Sequence, residues 1–147
     1  MELYKCKVCG HIELDGSPGN CMVCRAGWQE FEEAPDAVET PGNPEELTEL
    51  EKKHVPQIVV VKECGLIPDQ CCTDVHVRVG EIQHVMEEEH FITYIDYYLN
   101  HSFISRIWLS PGVCNPAAAL HLNVTSGKLT AIEHCNKHGD WLAEVDL

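Results

Sequence analysis

A chain of 147 residues with 24 acidic against 10 basic side chains carries a formal net charge of −14. That balance excludes nucleic acid and anionic membrane surfaces as partners, because a polyanion repels both. The longest apolar run, 58–61, falls far short of the ~20 residues that cross a bilayer. The opening MELYKCK lacks a charged-then-apolar leader, so a cytoplasmic protein with no membrane partner is expected.

Nine cysteines, an odd number, suit thiolates held on metals in a reducing compartment better than a disulfide framework. Cys6, Cys9, Cys21 and Cys24 make a C-x2-C…C-x2-C set with Gly10 directly after the first pair. Two such turns place four sulfurs tetrahedrally, since each short loop directs backbone amides at its own sulfurs. Residues 1–33 are therefore expected to form a small metal-binding domain. A piece of that length buries too little apolar surface to fold alone, and ligation worth roughly 10–16 kcal/mol for structural zinc shows how it is held. Four-sulfur geometry accepts iron or zinc, so electron transfer and pure folding both stay open. Residues 34–48, APDAVETPGNPEELT, have the composition of an acidic, proline-containing linker.

A third unit is expected over 49–147. Runs at 57–62, 74–79, 91–98, 104–109, 118–124, 129–134 and 141–145 read as strands. Val75, Val77 and Val79 alternate with His76 and Arg78, the signature of a half-buried strand. Seven short strands separated by turns predict an all-β antiparallel sandwich. Cys64, Cys71 and Cys72 fall in ECGLIPDQCC, an expected hairpin loop, and read as free or packed thiols with a redox disulfide as the alternative. His11, His76, His101, His121 and His134 lack motif context and are expected at surface or strand positions.

Three strings, EKKHVPQI, GEIQHVMEEEHFITYI and CNKHGDW, supply His54, His84, His90, Cys135 and His138. Four imidazoles and one thiolate are one ligand too many for tetrahedral zinc. They suit a redox-active iron with four nitrogens in a plane, a thiolate on the axis and one open face. The set resembles the catalytic centre of superoxide reductases of the desulfoferrodoxin and neelaredoxin family. QHVMEEEH is similar to that family's H-P-M-x-x-x-H, with Val85 in place of proline. CNKHGDW is similar to C-N-x-H-G-x-W, and KHVPQI to K-H-V-P-V-I. YKCKVCGHI…CMVC…F resembles a rubredoxin-type domain, with Met22 where proline is usual and Arg25 where glycine is usual.

The resemblance implies an immunoglobulin-like sandwich preceded by a rubredoxin-like knuckle domain. It implies one-electron reduction of superoxide to hydrogen peroxide at a mononuclear non-haem iron (His4Cys), with a second iron, or zinc, in the four-cysteine site. By the same resemblance His138 binds through Nδ1, and Lys53 attracts superoxide and helps protonate the product. The glutamate that caps the open site in relatives is Lys52 here, with Glu51 one position back. That cap is expected to be weaker, absent or taken over by Glu51. A small electron-donor protein such as rubredoxin, and a homodimer or homotetramer, are the implied partners. An iron electron carrier or redox sensor of the same fold, without significant turnover, is the competing reading.

Overall fold

The computed structural model describes residues 1–16 and 18–147. Strands β1 (Leu3–Cys6), β2 (Ile12–Leu14) and β3 (Phe31–Glu33) make a small antiparallel sheet of order β2-β1-β3. A two-residue strand, β4 (Val38–Glu39), follows and then helix α1 (Glu49–His54). The remaining strands are β5 (Pro56–Val61), β6 (Thr73–Val79), β7 (Ile92–Leu99), β8 (Ser102–Trp108), β9 (Ala117–Leu122), β10 (Lys128–Cys135) and β11 (Gly139–Asp146). Together with β4 they stack as two sheets, β5-β6-β9 and β4-β11-β10-β7-β8, in an immunoglobulin-like sandwich. All seven strands expected in this region are present. Within the stretch read as a linker, β4 pairs in parallel with β11 through Val38 and Glu39.

Between the two sheets, Val75, Val77 and Val79 of β6 pack against Ile95 and Tyr97 of β7 and Leu129 and Ala131 of β10. The alternation read in β6 holds: its valines are buried and His76 and Arg78 face outward. Each fully buried valine contributes roughly 1.5–3 kcal/mol. β7 departs from alternation, with Tyr94 through Tyr98 all buried. The cause is a second layer. Tyr98, Ile132 and Leu142, on the outer face of the five-stranded sheet, pack against Leu3, Ile12 and Leu14 of the small sheet. A sheet covered on both faces loses its polar side.

Two readings are corrected by this packing. His11 is fully buried rather than at the surface. Its Nδ1 lies 3.3 Å from Asp96 of β7, its Nε2 lies 3.2 Å from Glu13, and its ring stacks on Tyr98. Asp96 in turn receives Nε and Nη2 of Arg106 at 2.6 and 2.8 Å, with both side chains almost wholly buried. Cys64 and Cys72 form a disulfide with a Cα–Cα separation of 5.8 Å, so neither is a free thiol. The β5–β6 loop folds back on itself and brings Cys64 to the start of β6, a closure that spacing alone does not reveal. Cys71 and Cys114 are free.

Candidate metal centre

Helix α1 is short and depends on its cap. Thr48 Oγ1 accepts from the Glu51 N–H at 3.2 Å, and Glu51 Oε2 accepts from the Thr48 N–H at 2.8 Å. This is a reciprocal capping box, worth about 1 kcal/mol. His54 is the last residue of the helix and is buried. Its Nδ1–H donates to the Leu50 carbonyl at 2.8 Å, which turns the bare Nε2 inward. The β6–β7 connection supplies the next two rings. His84 Nδ1–H donates to the Val85 carbonyl at 2.7 Å. Any residue offers that carbonyl, so valine in the place of proline leaves the bond intact. Paired backbone bonds between Glu87 and His90, both 3.0 Å, close the turn and carry His90 back beside His84.

The β10–β11 turn completes the set with Cys135 and His138. Asn136 holds this turn against the segment just before β7. It accepts the Phe91 N–H at 3.0 Å through Oδ1, and its Nδ2 donates to the Glu89 carbonyl at 3.0 Å. Trp141 Nε1–H donates to the His138 carbonyl at 3.0 Å while its ring stacks on His54. Asn136 and Trp141 both stand in the motif C-N-x-H-G-x-W, yet spacing shows only their presence. Their clamping role is visible only in three dimensions.

The four rings form a closed circuit. Centroids of His54 and His84 are 4.8 Å apart, His84 and His90 4.7 Å, His90 and His138 5.1 Å, and His138 and His54 4.9 Å. Cys135 Sγ sits 3.5 Å from His84 Nε2 and 3.7 Å from His138 Nδ1. The donor atoms of His54, His90, Cys135 and His138 all lie within 4.8 Å of one another. Nε2 of His54 and of His90 is buried with no hydrogen-bond partner among the described residues. An orphaned buried nitrogen carries a desolvation cost, and a metal removes that cost. Burial pushes the His84 pKa down to about 4, and it lowers His54 and His90 as well. Neutral imidazoles are the form that binds metal. Burial raises the Cys135 thiol, opposed by backbone N–H groups of Lys137 and His138. Glu133 is buried with no side-chain hydrogen-bond partner among the described residues, and burial drives its carboxyl well above the usual range.

A cavity of about 500 Å³ opens onto the histidine rings and is lined by Glu49, Leu50, Lys53, Ile82, Gln83 and Val85. Lys53 is the one lysine in this lining among the described residues. Glu51 does not line the cavity. Both its oxygens accept backbone N–H groups, from Thr48 and from Gly42 at 3.2 Å. Glu49 is the acidic residue at the opening, and it also holds Lys52 Nζ at 3.5 Å. The wall of this cavity depends on Gly80, whose φ is +87°. A Cβ there would stand 2.8 and 2.9 Å from the carbonyl oxygens of Lys53 and Lys52, and nearer still to that of Ile82.

The second cluster is equally compact. Cys6 and Cys24 sulfurs are 3.7 Å apart and those of Cys9 and Cys21 are 3.6 Å apart. Sulfurs ~2.3 Å from a tetrahedral metal stand about 3.8 Å from one another, so the four fit one ion. The His11 N–H points at Cys9 Sγ at 3.4 Å. Without metal, burial would push Cys9 up to about 12.

The sequence profile of the desulfoferrodoxin family matches residues 46–144. The chain belongs to the desulfoferrodoxin family. A desulfoferrodoxin from Syntrophotalea carbinolica is 33% identical over 146 residues, covering 98% of this chain and 96% of the relative. The solved superoxide reductase (neelaredoxin) of Ignicoccus hospitalis superposes with a TM-score of 0.62 at 28% identity, over 76% of this chain and 94% of that one. The superoxide reductase of Treponema pallidum shares the fold over 97% of this chain and 99% of its own, with a TM-score of 0.59 at 22% identity. The two clusters match the two iron sites of desulfoferrodoxin. Among the described residues, no helix is long and apolar enough to cross a membrane.

Proposed function

We propose that this desulfoferrodoxin-family chain is a superoxide reductase. Superoxide takes up one electron and two protons and leaves as hydrogen peroxide. The observation that carries this reading is a ring of four inward imidazoles over one buried thiol, with a cavity opening on the histidine side. His54, His84, His90, His138 and Cys135 would hold an iron that supplies the electron by cycling between its ferrous and ferric states. The chain's own groups set access and orientation. Leu50 and Val85 carbonyls lock two ring tautomers, and Asn136 and Trp141 fix the turn that carries Cys135 and His138. Lys53 offers a positive charge and an ammonium proton at the mouth, against the negative net charge of the whole chain. Glu51 we assign to helix capping.

The four-cysteine unit we assign to electron relay. Val8, Met22 and Trp28 are exposed around it by 63%, 56% and 62%, an apolar face suited to a small electron-donor protein. Thiolates held on metals suit the reducing cytoplasm. Exposed Val59 and Val61 on an edge strand of the β5-β6-β9 sheet support pairing of two copies.

The test is peroxide formed per superoxide consumed by reduced, iron-loaded protein under anaerobic conditions. A ratio near one without oxygen release is expected. A ratio near one half with oxygen evolved would mean dismutation, and no reaction would leave an electron carrier or sensor.

A further inference from the structure

We propose that one end of the β5-β6-β9 sheet holds a third metal site. In the reduced chain Cys64, Cys72, Asp74 and His121 bind one zinc ion, and the Cys64–Cys72 disulfide is the zinc-free state of the same site.

Asp74 of β6 and His121 of β9 are direct cross-strand partners. Cys72 lies just before β6, and the β5–β6 loop returns Cys64 to it. One donor atom from each of these four residues lies within 4.8 Å of all the others. His121 Nδ1 is 2.7 Å from Asp74 Oδ1 and 3.6 Å from Cys72 Sγ, and Cys72 Sγ is 3.4 Å from that same carboxylate oxygen. A proton relay to the thiol would use the two ring nitrogens in series. Here one nitrogen hydrogen-bonds the Asp74 carboxylate and also faces Cys72 Sγ, so the donors are already gathered in one place and need only small shifts to surround an ion. Two sulfurs, one imidazole nitrogen and one carboxylate oxygen are a four-donor set of the kind zinc accepts. Asp74 Oδ2 faces His76 Nε2 at 3.8 Å, an outer contact that orients the carboxylate. Cys72 and Asp74 are largely buried while His121 is exposed, so the set is built into the sheet and reachable from solvent.

Redox state decides which form exists. On zinc binding the two thiols release two protons. Hydrogen peroxide then takes two electrons from the dithiolate pair: the two sulfurs join, two protons are consumed, two waters form and zinc departs. A dithiol reductant restores the pair. Peroxide is the product of the activity proposed above, and only the origin of the oxidant rests on that reading.

The test uses full-length protein with iron in both other sites, titrated with zinc against a chromophoric chelator before and after phosphine reduction. The reduced protein is expected to take up one zinc more than the oxidised protein. Cys72→Ser and His121→Ala are expected to weaken that binding at least ~10-fold. His121 is exposed, so its variant keeps the test decisive if Cys72→Ser folds poorly. Added hydrogen peroxide is expected to release the extra zinc. Equal uptake in both redox states, an extra zinc indifferent to both substitutions, or retention of zinc under peroxide would each overturn the proposal. Because peroxide is added and superoxide turnover is read separately, failure here is distinct from failure of the reductase reading.

Discussion

Replacing Lys53 with alanine tests how an acidic chain attracts an anion. A unit charge ~6 Å from superoxide is worth roughly 3 kcal/mol at an effective dielectric of ~20, and ~0.7 kcal/mol in bulk water. Lys53 is exposed at the cavity mouth, so the wetter end applies and about 1 kcal/mol is at stake. At 1.36 kcal/mol per tenfold, Lys53→Ala should slow capture about fivefold. Capture should also become less sensitive to salt, because the attraction it loses is the screened one. Lys52→Ala should do less, since Lys52 is held by Glu49 and does not line the cavity. Glu49→Gln should speed capture a few-fold by removing a negative charge from the lining. Pulse radiolysis at several ionic strengths reads all three variants. Unchanged rate and salt slope in Lys53→Ala, or an equal loss in Lys52→Ala, would refute the steering role.

Three further outcomes follow from the packing. Gly80→Ala should displace the end of α1, because the new Cβ meets the Lys52, Lys53 and Ile82 carbonyls, and iron retention after chelator challenge should drop at the histidine site while the four-cysteine site keeps its metal. Arg106→Ala should cost about 3–5 kcal/mol, because it leaves Asp96 charged and buried with only His11 beside it. Urea unfolding followed by a probe in each sheet reads that loss, and a cost under ~1 kcal/mol would discount the pair. The pH dependence of metal-free protein follows from His84, whose pKa falls from 6.5 unfolded to about 4 folded. Native stability should be complete above about 6.5 and fall as pH drops towards 4, by about 3 kcal/mol from this group. A melting temperature flat across that window would contradict the burial of a neutral ring.

Much of the sandwich was legible because its strands obey simple local rules. The alternation of Val75, Val77 and Val79, and turn residues between short apolar runs, need no tertiary knowledge. The ligand residues were legible as strings for a different reason: motif spacing in three places picks them out. What stayed hidden depends on contacts between distant segments. His11 reads as an ordinary polar residue until Asp96, 85 positions away, is seen beside it. The continuous burial of Tyr94–Tyr98 looks like a broken pattern until the small sheet covers it. Glu51 and Glu49 both lie near the histidine string, and only the capping box tells which one faces the cavity. The Cys64–Cys72 bond belongs to the same group, since adjacent Cys71 and Cys72 give no sign of which one turns towards the returning loop.

The four cysteines of the N-terminal site are all present once residue 24 has been made, whereas the histidine ring waits for residue 138. During synthesis the four-cysteine centre therefore becomes competent to take metal well before the histidine ring does. An ion captured by His54, His84 and His90 alone meets three nitrogens without the turn that carries Cys135 and His138. That turn is held in place by Asn136, bonded to Glu89 and Phe91 just before β7, and by Trp141 on β11. Iron in the complete ring is thus a record that the β10–β11 hairpin has closed, and a chain stalled before it would have only the four-cysteine site complete.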